Sequence, residues 1–246
     1  MTQLSSESRA LKRSLRRRRL KELLSQIYKN TMARIGIYII LFFALMAIFG
    51  PIIMPFKTTD IASSRADIFN PPSAEHLLGT DNLGRDVLAY LMSGARSSLF
   101  VGITATFISM VLGTFIGITA GYIGGWVDNL LMRITDFFLV LPWLPFCMVL
   151  AAILGNSMWN IILVIGLTGW AGTARVIRAQ TLSVKEQQYV ERTVSIGAGK
   201  WHIMLRHILP NVFPLVFSES ILIISGSILT ETSLAFLGLG DPTNPS

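Results

Sequence analysis

Five long hydrophobic runs alternate with polar segments along the chain. They cover residues 36–54, 100–123, 130–154, 159–174 and 212–229. A helix needs about 20 apolar residues to cross the hydrocarbon core of a bilayer, and each run comes near that length. The pattern predicts an all-α polytopic bundle with five transmembrane helices. The first run starts too far along the chain for a cleaved signal peptide, so we expect it to remain as an anchor.

Composition agrees with a membrane protein. Hydrophobic residues make up 52% of the 246 residues and charged residues 14%, outside the usual balance of a soluble domain. The single cysteine, Cys147, lies inside an apolar run. A disulfide framework or a thiolate metal site is therefore excluded.

Basic residues predict the orientation. Of the 21 Lys and Arg residues, 17 are predicted on one face, in residues 1–34, at Arg133 and in residues 175–206, whereas the opposite face carries only Lys57, Arg65, Arg85 and Arg96. The positive-inside rule places the N-terminus and residues 189–211 in the cytoplasm. We therefore expect a multi-pass protein of the cell membrane with an extracytoplasmic loop at 55–97.

The basic arm, residues 1–34, has two interpretations. Leu20, Leu24 and Ile27 recur at helical spacing among basic residues, which favours an amphipathic helix on anionic membrane lipid. A solvated basic tail that fixes topology fits equally well. We do not expect nucleic acid as a partner.

Two features inside the runs predict helix packing and shape. Gly113, Gly117 and Gly121 recur every four residues, which gives a smooth helix face for close packing, favoured within the chain over a contact between subunits. Pro142 and Pro145 remove backbone donors and predict a kink in the third span.

Charged residues are scarce within the spans. Arg133 and Asp136 are three residues apart, so they are expected to pair on one helix face in a structural role. A proton relay needs more acidic residues at mid-membrane depth than the sequence contains, which weakens the case for an ion-coupled transporter.

Motifs for catalysis or metal binding are missing from the sequence. The segment GAGKW has Val194 and Trp201 where a phosphate loop needs Gly and Ser or Thr. The segment GTDNLGRD has Leu83 and Arg85 at calcium-ligand positions. The three histidines lack metal-ligand spacing. We therefore expect no enzyme activity, no metal and no cofactor in this chain.

The cytoplasmic segment between the fourth and fifth spans has its own pattern. Residues 184–196 predict a helix that ends at Gly197, because glycine readily adopts the left-handed conformation that ends helices. A second short helix is predicted at 200–208, and Pro210 is expected to break it before the fifth span. The segment is too long for a plain connection.

This segment resembles the EAA loop of ABC importer permeases. Glu191 matches the acid, Gly197 the glycine at the same distance, and Leu209 and Pro210 the end of the motif, whereas Arg192 and Thr193 replace the two alanines and His207 the isoleucine. The resemblance implies ATPase coupling by Tyr189, Glu191, Arg192, Ser195, Gly197, Ala198, Gly199, Leu209 and Pro210.

Two more segments resemble the dipeptide, oligopeptide and nickel branch of these permeases. ETSLAFLGLG, residues 231–240, is similar to a motif at the outer end of the fifth span. The extracytoplasmic motif is GTDNLGRD, with the matching residues Gly79, Thr80, Asp81, Gly84, Arg85 and Asp86. The resemblance covers most of the chain from about residue 35 onward.

The resemblance implies a type I permease fold and a set of partners. The expected organisation is the arm at 1–34, a first helix at 35–54, the loop at 55–97 and a core at 98–246 that includes the coupling loop at about 181–210, with a sixth span beyond Ser246. The expected partners are a second permease, two cytoplasmic ATPase subunits that bind ATP and Mg, and an extracytoplasmic binding protein.

The implied function is ATP-driven import of di- or oligopeptides. A wide, weakly specific path suits peptides, and no metal ligands line the spans. A nickel importer of the same branch is the alternative. An ion-coupled secondary transporter and a membrane scaffold without transport are rivals from other classes.

Overall fold

The computed structural model describes residues 28–54 and 68–242. The basic arm up to residue 27, the part of the loop that holds Lys57 and Arg65, and residues 243–246 lie outside the described residues. Within the described ranges no strand occurs apart from an isolated bridge between Thr80 and Asp86. The helices are α1 (Thr31–Ile53), α2 (Val87–Ile123), α3 (Gly125–Val140), α4 (Trp143–Leu154), α5 (Met158–Thr168), α6 (Trp170–Lys185), α7 (Gln188–Ser195), α8 (Lys200–Ile203) and α9 (Leu209–Phe236), with a π-helical turn at Met204–Ile208.

The predicted all-α membrane bundle is confirmed. Four helical segments of the described chain are long and apolar enough to cross a bilayer: Thr31–Gly50, Val87–Ile123, Met158–Lys185 and Lys200–Phe236. The bent pair α3 and α4 makes a fifth if it is counted as one span. Hydrophobic length alone was therefore sufficient to locate the spans, because a helix must match the thickness of the bilayer.

The third span is broken rather than kinked as predicted. α3 ends at Val140, α4 begins at Trp143, and the two helices meet at 89°. Pro142 lies in the break, where its carbonyl accepts a 3.1 Å hydrogen bond from the Phe146 N–H. Pro145 falls in the first turn of α4, where a helix needs no N–H donor, so it causes no kink.

α2 begins earlier than its hydrophobic run. It starts at Val87, capped by the Asp86 carboxylate, which accepts a 2.9 Å hydrogen bond from the Ala89 N–H. Its first turns pack against α1, where a methyl group on Gly50 would lie 2.7 Å from the Met92 Cβ. Tertiary contact and a good N-cap therefore extend this helix beyond the apolar run.

The glycine face of α2 contacts α6 of the same chain. A methyl group on Gly117 would lie 2.6 Å from the Ala174 carbonyl oxygen, and methyl groups on Gly113 and Gly121 would lie 2.7 Å and 2.8 Å from the Cβ atoms of Thr173 and Thr181. These distances leave no room for a side chain. The absence of side chains at the three glycines therefore permits α2 and α6 to pack in direct backbone contact.

The predicted pairing of Arg133 with Asp136 is wrong. Asp136 pairs with Arg175 of α6, and Asp128 accepts hydrogen bonds of 2.5 Å and 2.7 Å from Nε and a terminal nitrogen of Arg178. α6 packs beside α3, so its two arginines reach both acids across the helix contact. The partner of Asp136 is therefore decided by the contact between α3 and α6 and not by the spacing of charges along α3.

The prediction that Pro210 separates the second cytoplasmic helix from the fifth span is also wrong. The helix runs without interruption from Lys200 to Phe236. The Leu209 N–H donates to the Met204 carbonyl five residues earlier, because the turn at Met204–Ile208 is π-helical. This wider turn shifts the hydrogen-bond register just where proline removes a donor and crowds the carbonyl four residues back.

Candidate functional site

Two short helices form one surface at the end of α6. α6 ends at Lys185, the chain turns at Glu186 and Gln187, and α7 begins at Gln188. The sequence predicted a helix at 184–196. The helix in the structure starts at Gln188, four residues later, and Val184 belongs to α6. The Gln187 N–H donates a 3.1 Å hydrogen bond to the Val184 carbonyl, which closes this turn.

Gly197 ends α7 in a Schellman motif. Its φ of +83° is in the left-handed region, where a side chain would be strained. The Gly197 N–H donates to the Val194 carbonyl at 2.9 Å, and the Ala198 N–H donates to the Thr193 carbonyl at 3.3 Å. Gly199 begins the next helix with an ordinary φ of −68°. Of Gly197 and Gly199, only Gly197 is therefore required by its backbone conformation.

Buried residues attach the helix pair to the transmembrane core. Val190 of α7 and Ile203 of α8 are each 1% exposed and belong to one apolar cluster with Ile118 of α2 and Ile177 of α6. The π-helical turn adds Ile208 to the same cluster. The helix pair therefore packs directly against α2 and α6.

The opposite face of the helix pair is exposed. Ile196, at the tip between the two helices, has 83% of its surface exposed, and Val194 and Tyr189 are also exposed. A groove of about 480 Å³ beside α7 is lined in part by Glu191 and Ser195. Apolar side chains at a polar surface are typical of a protein interaction site.

The remaining residues of the predicted coupling set lie on or near this face. Arg192 and Gly199 are exposed, and Ala198 is half-buried. Leu209 and Pro210 lie in the first turn of α9, beyond the π-helical turn, where Leu209 is half-buried and Pro210 exposed. Sequence spacing did not identify Ile196 and Val194 as exposed apolar residues, because burial depends on how α7 docks.

The GTDNLGRD motif, residues 79–86, folds into a hydrogen-bonded loop. Asp81 Oδ1 accepts from the Leu83 and Arg85 N–H groups at 2.8 Å and 2.9 Å, and its Oδ2 accepts from Arg85 Nε at 2.7 Å. The Arg85 guanidinium stacks on the Tyr90 ring at 4.6 Å. Thr80 Oγ accepts a 2.8 Å bond from the Asn70 N–H.

Glycines and a second acid complete this loop. Gly79 and Gly84 have φ of +76° and +73°, and a methyl group on Gly79 would lie 2.4 Å from the Asn70 carbonyl oxygen. Asp86 caps α2 and its Oδ2 lies 2.8 Å from His76 Nδ1. The six predicted residues therefore lie together, and the side chains of Asp86 and Arg85 contact the start of α2. No group of three metal-ligating side chains occurs in residues 28–54 or 68–242.

Hydrogen bonds lower the pKa of both acids in this loop. Burial alone would raise the pKa of Asp81, but hydrogen bonds from the Arg85 side chain and from the Arg85 and Leu83 N–H groups outweigh it. Burial likewise opposes the lowering at Asp86, where the Ala89 N–H and the His76 side chain have the larger combined effect on its pKa. Both carboxylates are charged at neutral pH.

Replacing Asp86 with alanine tests this account of the loop. The change removes the cap of α2 and the contact with His76, and we expect the free energy of unfolding to fall by about 1 kcal/mol or more. The measurement is thermal unfolding of the detergent-solubilised protein. Asn82→Ala is the matched control, because Asn82 is exposed in the same loop. An equal loss of stability in both variants would contradict the capping role.

The same cap predicts a pH dependence. Because the pKa of Asp86 is lower in the folded protein, its stabilisation is present above the unfolded pKa of about 4 and is lost as pH falls through the folded value. The stability difference between wild type and Asp86→Asn is therefore expected to shrink as pH falls from about 5 to below about 4. A difference that grew over this range would have the wrong sign.

The structure also identifies a buried acid near the C-terminal end of α9. Glu231 is 3% exposed and its Oε2 accepts a 3.1 Å hydrogen bond from Ser98 of α2. The contact joins the segment ETSLAFLGLG to the helix that follows GTDNLGRD. The motif was visible in the sequence, but the partner side chain was not.

Comparison with known proteins identifies the class. Residues 113–246 match the family described as binding-protein-dependent transport system inner membrane component, and residues 18–72 match the N-terminal TM domain of oligopeptide transport permease C. The chain belongs to this permease family of ABC importers, with the type I fold, and is a multi-pass protein of the cell membrane. The family is a transport component rather than a catalytic subunit.

Individual relatives cover most of the chain. The dipeptide transport system permease protein of Bacillus subtilis is 37% identical over 87% of this chain and 67% of its own length. Oligopeptide transport system permease proteins of Bacillus subtilis and Haemophilus influenzae are 34% and 36% identical over 90% and 87% of this chain, and over 72% and 69% of their own lengths.

Proposed function

We propose that the chain is the permease subunit of an ATP-driven importer that carries di- or oligopeptides into the cell. It works with a second, similar permease, two cytoplasmic ATPase subunits and an extracytoplasmic binding protein. ATP and Mg²⁺ bind to the ATPases. This chain forms part of the path and carries the helix pair, α7 and α8, that couples the path to the ATPases. The names of the relatives support peptides as the substrate class.

The single observation that carries the proposal is the helix pair with its exposed tip and buried base. ATP drives transport only if it binds one conformation of the complex better than another, so a surface must link the ATPases to the spans. Ile196 offers an apolar contact at the tip, while Val190 and Ile203 fix the base in the core. The contact set we assign is Tyr189, Glu191, Arg192, Ser195, Gly197, Ala198 and Gly199, with Leu209 and Pro210 at the junction with α9.

The orientation follows from the same surface. Basic residues surround the helix pair, including Lys185, Arg192, Lys200 and Arg206, which supports a cytoplasmic position. The GTDNLGRD loop then faces the binding protein on the other side, and the N-terminal arm lies in the cytoplasm near anionic lipid.

Co-purification with a variant at the exposed tip tests this function. The tagged chain is extracted from its native membrane in mild detergent, and we expect it to bring two ATPase subunits and a second permease, identified by mass spectrometry. Ile196→Asp is expected to lower ATPase recovery at least about tenfold, since a charge at the centre of an apolar contact costs well over 1 kcal/mol, while recovery of the second permease stays unchanged.

Asn82→Asp, an exposed position in the extracytoplasmic loop, is the control and is expected to leave every partner in place. Equal ATPase recovery with Ile196→Asp would exclude the tip as the contact. Recovery of the wild-type chain alone would favour a scaffold, and uptake that needs no ATP would favour an ion-coupled carrier.

A further inference from the structure

An exposed ion pair joins α3 and α6 about three turns from the cytoplasmic ends of these helices. Arg175 comes ten residues before the end of α6, and Asp136 eleven residues after the start of α3. At about 1.5 Å per residue, both lie about 15 Å from the cytoplasmic ends of their helices. In the isolated subunit the side chains of Arg175 and Asp136 are 56% and 57% exposed.

The neighbouring ion pair differs in its environment. Asp128 has only 14% of its side chain exposed and accepts two hydrogen bonds from Arg178, so this pair fastens α3 to α6. An exposed pair adds little to stability, because water already solvates both charges. A charged pair is too costly to face acyl chains. The Asp136–Arg175 pair therefore faces water or another subunit.

A groove of about 380 Å³, lined by neither residue of the pair, begins about one helical turn further from the cytoplasmic ends of α3 and α6. Leu139, three residues after Asp136, lines one wall, and Gly172, three residues before Arg175, lines the other. Residues three apart on a helix share a face, so the ion pair lies one turn to the cytoplasmic side of the groove.

The groove lies where two spans are interrupted. It meets the 89° break between α3 and α4 at Leu141, and the junction of α5 and α6 at Gly169. Its hydroxyl groups come from Ser109, Thr168 and Ser227. Non-helical backbone at membrane depth is tolerated where it lines a water-filled cavity, and interrupted helices are typical of transport sites.

We propose that this groove is the subunit's share of the substrate path and that Asp136 and Arg175 bind the charged ends of the peptide. The inference rests on the proposed function. A free peptide carries an ammonium and a carboxylate group at neutral pH. The Arg175 guanidinium binds the carboxylate, and Asp136 binds the ammonium. Without substrate the two side chains neutralise each other, so the exchange of partners leaves no charge unpaired in the path.

Removing each charge in the complete complex tests the proposal. Arg175→Gln and Asp136→Asn are compared with wild type in ATP-loaded proteoliposomes with the binding protein outside. The probes are trialanine, N-acetyl-trialanine and trialanine amide. The same binding protein delivers each probe to every complex, so its own preference cancels when variant uptake is divided by wild-type uptake.

Each variant is expected to be selective for one end of the peptide. Arg175→Gln lowers trialanine uptake about tenfold but changes trialanine amide uptake less than about twofold, since the lost charge-assisted contact is absent for the amide. Asp136→Asn also lowers trialanine uptake about tenfold but changes N-acetyl-trialanine uptake less than about twofold, since the blocked peptide has no ammonium group. Asp128→Asn, at the buried pair, is the control and lowers all three probes equally. Equal loss of all probes with Arg175→Gln, or none, overturns the proposal.

A second measurement needs no blocked peptide. Gly172→Cys and Gly226→Cys line the groove, and a Cβ atom at either position meets no atom within 4 Å. A cationic, membrane-impermeant thiol reagent is expected to label both in the assembled complex, with protection by excess trialanine. Ile40→Cys on the exposed face of α1 is the lipid-facing control and stays unlabelled, because a thiol in hydrocarbon is not ionised.

The uptake and labelling measurements distinguish a failure of the proposed path from a failure of the proposed substrate class. Labelling of the isolated chain but not of the complex identifies the groove as a contact between permeases and overturns the path. Absence of trialanine uptake by wild type contradicts the proposed substrate class, whereas labelling still decides whether the groove contains water.

Discussion

Replacing Gly197 with proline is expected to leave the complex assembled and ATP hydrolysis active while peptide uptake falls at least about tenfold, equivalent to about 1.4 kcal/mol of lost coupling. Proline fixes φ near −65°, and Gly197 has φ of +83°. The ring also removes the N–H that bonds to the Val194 carbonyl. The turn must therefore change shape, and α7 and α8 no longer move as one rigid unit.

Gly197→Asn is the matched control for this variant, because asparagine tolerates the left-handed conformation that Gly197 adopts and keeps the backbone N–H. We expect it to retain most of the uptake. ATP hydrolysis and uptake of a labelled peptide are measured in the same proteoliposomes for wild type and both variants. Normal uptake with Gly197→Pro would show that the turn does not transmit the ATPase movement.

Replacing Gly117 with leucine is expected to abolish the recovery of folded protein. Even a methyl group there would lie 2.6 Å from the Ala174 carbonyl oxygen and 2.9 Å from the Ile177 Cβ, both in α6. Neither atom moves without displacing the helix, and overpacking of a single methyl group costs about 1–3 kcal/mol. Gly117→Ala is therefore expected to fold with a lower melting temperature, and Gly117→Leu to aggregate on solubilisation.

Gly36→Leu is the matched control, because Gly36 lies in the helical interior of α1 and has no atom within 4 Å of a Cβ position. Size-exclusion chromatography and thermal unfolding in detergent compare the variants. Equal recovery of Gly117→Leu and Gly36→Leu would mean that α2 and α6 do not pack at the glycine face.

The sequence predicted the features that follow from local chemistry. Hydrophobic length located the spans because the bilayer sets that length. Gly197 was predicted as a helix end from the conformational freedom of glycine, and the structure has it in the left-handed region. The motif residues from Gly79 to Asp86 were recognised from their order, although hydrogen bonds and capping become visible only in the fold.

The features that sequence could not predict depend on neighbours distant in the chain. Asp136 had a basic residue three positions away in Arg133, but Arg175 of α6 approaches it from the side. Pro142 predicted an irregularity without its angle, since the 89° bend depends on how α4 packs. Pro210 was expected to break a helix, yet the preceding π-helical turn accommodates it.

Reconstituted uptake tests the central claim most directly. The chain, the second permease and the ATPases are placed in proteoliposomes with the binding protein outside, and uptake of radiolabelled trialanine and of nickel ion is followed with ATP or a non-hydrolysable analogue inside. The account predicts trialanine uptake that requires ATP hydrolysis and the binding protein, with no nickel uptake. Nickel uptake in place of trialanine, or uptake of either that continues without hydrolysis, would contradict it.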